Sequence, residues 1–194
     1  MRTLTPSHIA QDASLPLSPA ADSVRFARGR VVHRLLQYLP DIPPSQRTKA
    51  IKQYLQRYGA AVPQAEHAKL QAEVLAVLEH PQFAPVFSTG SAAEVPLSGI
   101  IPHEGGPPLV ISGQVDRLCV SEKGVWVIDY KTQREAPRIE ADIPLAYLRQ
   151  MASYAALIER IYPGRPVFCA LLWTSVPLLM PLDTARLRRE VPWA

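Results

Sequence analysis

The residues best equipped for chemistry are two aspartates and a lysine in neighbouring short runs. Gly113-Gln114-Val115-Asp116-Arg117 and Val127-Ile128-Asp129-Tyr130-Lys131-Thr132 flank a turn-like Ser121-Glu122-Lys123-Gly124. Read as a hairpin about that turn, Val120 opposes Val125. Leu118 then faces Val127, Asp116 faces Asp129 and Gln114 faces Lys131, all on one side, with Cys119 and Trp126, Val115 and Tyr130 on the other. Directly opposed carboxylates have Cβ atoms about 4.5–5.5 Å apart, and like charges so placed destabilise a sheet. A hard divalent cation compensates: Mg²⁺ takes one or two carboxylates and leaves its other positions to water and substrate phosphate. Lys131 shares the face of Asp129, where an ammonium suits orienting an attacking water or stabilising a charged pentacovalent phosphate. A surface hairpin with solvated charges is the competing reading. It fits poorly, because Val125-Trp126-Val127-Ile128 leads into Asp129 as a buried strand would.

The elements that must position these groups follow from periodicity. Residues 1–22 show no period and read as a linker or extended tail. A helical stripe of Val24, Val31, Val32, Leu35, Leu36 and Leu39 begins at Ser23 and stops at Pro40. Ser45 is the expected cap of a second helix reaching Tyr58-Gly59. A third is expected over Gln64–Glu79, burying Leu70, Val74, Leu75 and Leu78. Strands are expected at Glu94–Gly99, Leu109–Val120 and Val125–Thr132. Pro144 opens a helix running to Tyr162, and Val167–Thr174 is the final buried strand. This order predicts an α/β or α+β sandwich with a mostly central sheet.

Composition narrows the function. Hydrophobic residues make up 47% of 194, a globular rather than disordered share. Proline, at 20 residues, is about twice its usual frequency and punctuates the elements. The net charge of +4 and pI of about 9.2 are compatible with a polyanionic partner. Two cysteines, Cys119 and Cys169, are too few for an iron–sulfur cluster or an all-cysteine zinc site, and both read as small buried hydrophobes. No P-loop motif, membrane span or signal peptide is visible, so a cytoplasmic location is the expectation.

Asp116 followed by Asp129-Tyr130-Lys131 resembles the PD-(D/E)XK nuclease signature in its RecB-type form. Two further family motifs match: G-x-x-x-H at Gly29-Arg30-Val31-Val32-His33, and Q-x-x-x-Y at Gln150-Met151-Ala152-Ser153-Tyr154. With Glu94-Val95-Pro96-Leu97 and Leu172-Trp173-Thr174, the wider texture is similar to the C-terminal nuclease domain of bacterial AddA-type helicase–nucleases. The resemblance implies a restriction-endonuclease-like core over 83–194, a helical part over 23–82, and a central mixed sheet flanked by helices. It implies Mg²⁺ or Mn²⁺ held by His33, Asp116, Asp129 and the Tyr130 main-chain carbonyl, with Lys131 catalytic. It also implies single-stranded DNA as the substrate, exonucleolytic cleavage in double-strand-break repair, an AddB-type subunit as partner, and a helicase portion outside this chain.

The residues alone leave several roles open. A lone helical His33, beside Leu36 on the flank of the apolar stripe, reads first as a packed or surface residue, and only the motif makes it a ligand. Gln150 and Tyr154, at i and i+4, suit either a buried hydrogen-bonding pair or positioning of the site. Glu94 reads as a solvated strand end or the border of the site. Trp126 and Trp173 read as core. Arg25, Arg28, Arg30 and Arg34 suit phosphate contact or a solvated helix face. The rival to a nuclease is a nuclease-like fold serving only as a DNA-binding or assembly module.

Overall fold

The computed structural model describes residues 2–7, 19–102 and 106–192. Three of its helices begin where prolines force an extended entry. Pro43, Pro63 and Pro144 stand at the N-caps of α2 (Pro44–Tyr58), α3 (Gln64–Leu78) and α4 (Leu145–Ile161), each with φ between −51° and −53°. That angle is the one the pyrrolidine ring imposes. No side chain caps these three helices, so Ser45 is not the expected cap and lies inside the first turn of α2. The first helix, α1 (Pro19–Tyr38), starts four residues before the periodic stripe.

A six-stranded mixed sheet lies between two helical layers. Its strands are β1 (Arg2–Leu4), β2 (Ser91–Ile101), β3 (Leu109–Ser121), β4 (Gly124–Lys131), β5 (Val167–Trp173) and β6 (Leu178–Leu182). β3 is the hub. It pairs antiparallel with β2 along one edge, and on the other with β1 at Leu109–Ile111 and with β4 at Arg117–Ser121. The parallel neighbour of β4 is β5, reached through α4, and β6 closes the far edge antiparallel. One sheet face buries Val127, Leu171 and Cys169 against Leu148, Met151 and Ile158 of α4. The other buries Ile128, Tyr130, Ala170 and Leu172 against Val32, Leu36, Ile51, Leu70 and Val74 of α1 to α3. Each large aliphatic side chain so removed from water contributes roughly 1.5–3 kcal/mol. The expected α/β architecture is therefore present.

Several expectations need correction. Val167–Trp173 is not the last strand: β6 and a short helix, α5 (Thr184–Arg189), follow it. Arg2–Leu4, read as tail, adds a parallel strand to the sheet; residues 8–18 of that tail lie outside the described residues. α3 buries Glu73 and Val77 along with Leu70 and Val74, while Leu75 and Leu78 are only half-buried. Trp173 is buried, and Trp126 is half-buried and stacked on Phe168 at 4.9 Å between ring centroids.

Candidate active site

The turn fixes the hairpin register as expected, but only up to a point. Val120 opposes Val125 and Leu118 opposes Val127, yet the ladder ends at Arg117–Ile128. Asp116 and Asp129 are therefore not a ladder pair, and Gln114 is not one with Lys131. The cause is a change of phase in β3. Ile111 and Val115 face α4, as do Leu118 and Val120, so the alternation slips at Asp116. Arg117 and Cys119 consequently face the N-terminal helices, and Val115 lies on the opposite face from Tyr130. Opposite this point β2 carries Glu94 at φ 52°, a left-handed backbone in a non-glycine residue, and Glu94–Asp116 is the one gap in an otherwise continuous ladder. Such strained residues cluster at functional sites.

The opened ladder is replaced by side chains. The Tyr130 N–H donates to Asp116 Oδ2 at 2.6 Å, and His33 Nδ1 lies 3.1 Å from Asp116 Oδ1. N–H and C=O of one strand residue leave the same edge, so the Tyr130 carbonyl also points toward the opened β3. Lys131 Nζ lies 2.7 Å from Asp129 Oδ2, donates to Gln150 Oε1 at 2.9 Å, and sits 3.9 Å from the Tyr147 ring centroid. Gln150 Nε2 in turn donates to Asp129 Oδ1 at 2.9 Å. His33, Glu94, Asp116, Asp129, Tyr130, Lys131 and Gln150 thus line one cavity of about 460 Å³.

A second layer holds these groups in place. Arg28, five residues before His33, is buried. It donates to the Thr132 carbonyl at 3.0 Å and pairs with Glu73, which also accepts from Thr174 Oγ1 at 2.6 Å. The α1 backbone approaches the end of β4 closely enough that a Cβ on Gly29 would stand 3.2 Å from Thr132 Oγ1, which gives the first residue of the G-x-x-x-H motif its reason. Arg117 donates to the Tyr130 hydroxyl at 3.1 Å and to the Leu36 carbonyl at 2.8 Å, satisfying a carbonyl in the last turn of α1.

The electrostatics are those of a crowded anionic site. Burial opposes the charged His33 imidazole, but Asp116 beside it, with Asp129 and Glu94 behind, outweighs burial and raises its pKa to about 9. Burial pushes the Asp116 carboxyl upward, and the His33 charge and hydrogen bonds from His33 and Tyr130 overcome it, leaving Asp116 below the usual carboxylate range. Asp129 is raised by burial, helped by Asp116 and opposed by Lys131. Glu94 is raised by burial and then by Asp116.

A model of the PD-(D/E)XK nuclease superfamily matches residues 8–179. The chain belongs to the PD-(D/E)XK nuclease superfamily. Its mixed sheet flanked by helices is the restriction-endonuclease-like fold of that superfamily. Among solved structures, one titled "Crystal structure of SSO0001" is similar at 16% identity and a TM-score of 0.38, covering 98% of this chain and 73% of that one. No curated protein matches the chain.

PD-(D/E)XK nucleases generally use divalent metals, and the donors present suit one. Ligand atoms of His33, Glu94 and Asp116 lie within 4.8 Å of one another, a mixed imidazole and carboxylate set. Glu94, not Asp129, completes this tightest group; Asp129 lines the same cavity with both oxygens engaged by Lys131 and Gln150. The sequence offered Glu94 only as a strand end or the border of the site; its place among the donors goes with the left-handed backbone at that residue. The Q-x-x-x-Y pair divides. Gln150 lines the cavity, whereas Tyr154 lies behind it and donates to the Gln114 carbonyl at 2.9 Å. Of the four arginines, Arg25, Arg30 and Arg34 line the cavity, while Arg28 turns inward to Glu73.

Proposed function

We propose that this domain hydrolyses phosphodiester bonds of DNA with the help of Mg²⁺ or Mn²⁺. The observation that carries this is the convergence of Asp116, Asp129, Lys131 and His33 on one cavity in a chain of this superfamily. His33, Asp116, Asp129, the Tyr130 carbonyl and Glu94 would hold the metal, which supplies charge neutralisation at phosphate and a more acidic bound water. The protein's own groups do the rest. Lys131 presents its ammonium to the attacking water or to a phosphate oxygen. Gln150 bridges Lys131 and Asp129, keeping both in one orientation without adding charge. Tyr154 positions the Gln114 backbone behind the site. Arg25, Arg30 and Arg34 at the rim receive the backbone of the strand.

In its finer form the reading is an exonuclease domain of an AddA-type helicase–nuclease in double-strand-break repair. A motor and an AddB-type subunit would deliver single strands to it. It rests on the four motifs and their order. The test is cleavage of end-labelled single-stranded DNA with Mg²⁺, with and without chelator, by wild type, Asp129→Ala and Lys131→Ala. Wild type is expected to cleave only with metal, and both variants to fall at least 100-fold. A wild type that binds DNA but never cleaves it, even with motor and partner restored, leaves a binding or assembly module.

A further inference from the structure

On the side of α1 away from the carboxylates lies a second cleft, of about 230 Å³, between α1 and α2. Its lining includes Arg30, Arg34, Tyr54 and Tyr58, with Ala27 and Val62 at its floor. Three observations distinguish it from an incidental groove. First, Arg30 and Arg34 line both this cleft and the catalytic cavity, so they stand on the ridge between the two. Second, no carboxylate lines this cleft and both arginines are exposed; Arg34 donates to Gln37 Oε1 at 2.8 Å and feels Glu94 across the ridge, yet among the described residues neither arginine forms an ion pair. Third, aromatic rings gather where such charges would meet a polyanion. Tyr54 and Tyr58 lie 5.1 Å apart between centroids, Tyr58 is 59% exposed, and the Arg57 guanidinium lies over its ring at 5.4 Å.

Tyr58 shares this cleft with two cations that also line the catalytic cavity. Guanidinia recognise phosphate, and an aromatic face accepts any base by stacking. An acidic peptide would use the arginines and leave the tyrosine faces idle. A duplex would shield its base faces from them.

We propose that this cleft is a single-stranded nucleic-acid subsite in which Arg30 and Arg34 bind a backbone phosphate next to the catalytic cavity and Tyr58, supported by Tyr54, stacks on a base beyond it. The proposal rests on the reading of this domain as acting on nucleic acid, and it adds where the strand runs. It makes the strand cross α1 instead of leaving along the sheet edge.

The test is an abasic scan. Fluorescently labelled oligonucleotides, each lacking one base, are titrated by anisotropy in Ca²⁺ against wild type, Tyr58→Phe and Tyr58→Ala. Wild type and Tyr58→Phe are expected to lose about tenfold in affinity at one abasic position. Tyr58→Ala is expected to bind the intact strand about tenfold more weakly, with no further loss at that position. Arg34→Gln should flatten the slope of log affinity against log salt by about 0.7, the share of one phosphate on a single strand. If wild type and Tyr58→Ala give the same abasic profile while wild type binds and cleaves, the subsite is overturned and the nuclease reading stands. If wild type binds no single strand and cleaves none, both fall.

Discussion

Lys131 gathers the Asp129 carboxylate, the Gln150 amide oxygen and the Tyr147 ring around one buried ammonium. This changes what Asp129→Ala does to the fold. Two opposed carboxylates alone would favour removing one. Here the alanine also strands a buried cation, and breaking one half of a buried pair costs about 3 kcal/mol. Asp129→Ala should therefore be both inactive and destabilised, whereas Asp129→Ala with Lys131→Ala should be equally inactive but recover much of that stability. Urea unfolding in chelator, alongside the cleavage assay, reads both; additive losses would show that the two side chains are not coupled. The cysteines are the opposite case. Burial holds the Cys169 thiol at a pKa of about 12 and pushes Cys119 up to about 11. Cys169 should resist alkylation at pH 8 until the chain unfolds, since the thiolate is the reactive form.

α1 and β4 meet at an unusually close point, and that contact sets the distance from His33 to the carboxylates. Gly29→Ala gains up to about 1 kcal/mol of helix propensity but places a methyl 3.2 Å from Thr132 Oγ1. The expected result is near-neutral stability with activity reduced about tenfold, because small displacements at a site weigh heavily on rate. Thr132→Ala, which removes the clashing oxygen, should restore activity to the Gly29→Ala background. Failure of that rescue would mean the glycine serves something other than this contact. The sequence showed the motif but not its reason, which is an approach between residues 103 positions apart. The hairpin shows the same division. Its register follows from a four-residue turn and strand alternation, both local, and the structure agrees as far as Arg117–Ile128. The slip at Asp116 was not legible there. It depends on Glu94 in a partner strand and on β1 and β4 sharing one edge of β3, which leaves Ser112–Asp116 between them.

Across the whole molecule, the elements that sequence conveyed are those with long apolar periods, and the ones it missed are short. β1 has three residues and β6 contains Pro181, so neither offers an alternation to read; each exists because a longer strand presents an open edge. Charge shows a similar contrast of scale. The chain carries +4 overall, which favours a polyanion, while its cavity concentrates Glu94, Asp116 and Asp129, which repel phosphate. A divalent cation reconciles the two, and its effect should extend beyond catalysis. A ligand that binds only the folded state at 100 times its Kd adds about 2.7 kcal/mol. In a domain of this size that amounts to a rise of about 5–10 °C in Tm. Titrating Ca²⁺ or Mg²⁺ into wild type should therefore raise Tm by this amount and tighten single-strand binding together. Asp116→Asn, which keeps the shape but removes one charge and weakens the ligand set, should abolish most of both effects. A Tm that does not move with metal, or moves equally in Asp116→Asn, would place the cation elsewhere than between β2, β3, β4 and α1.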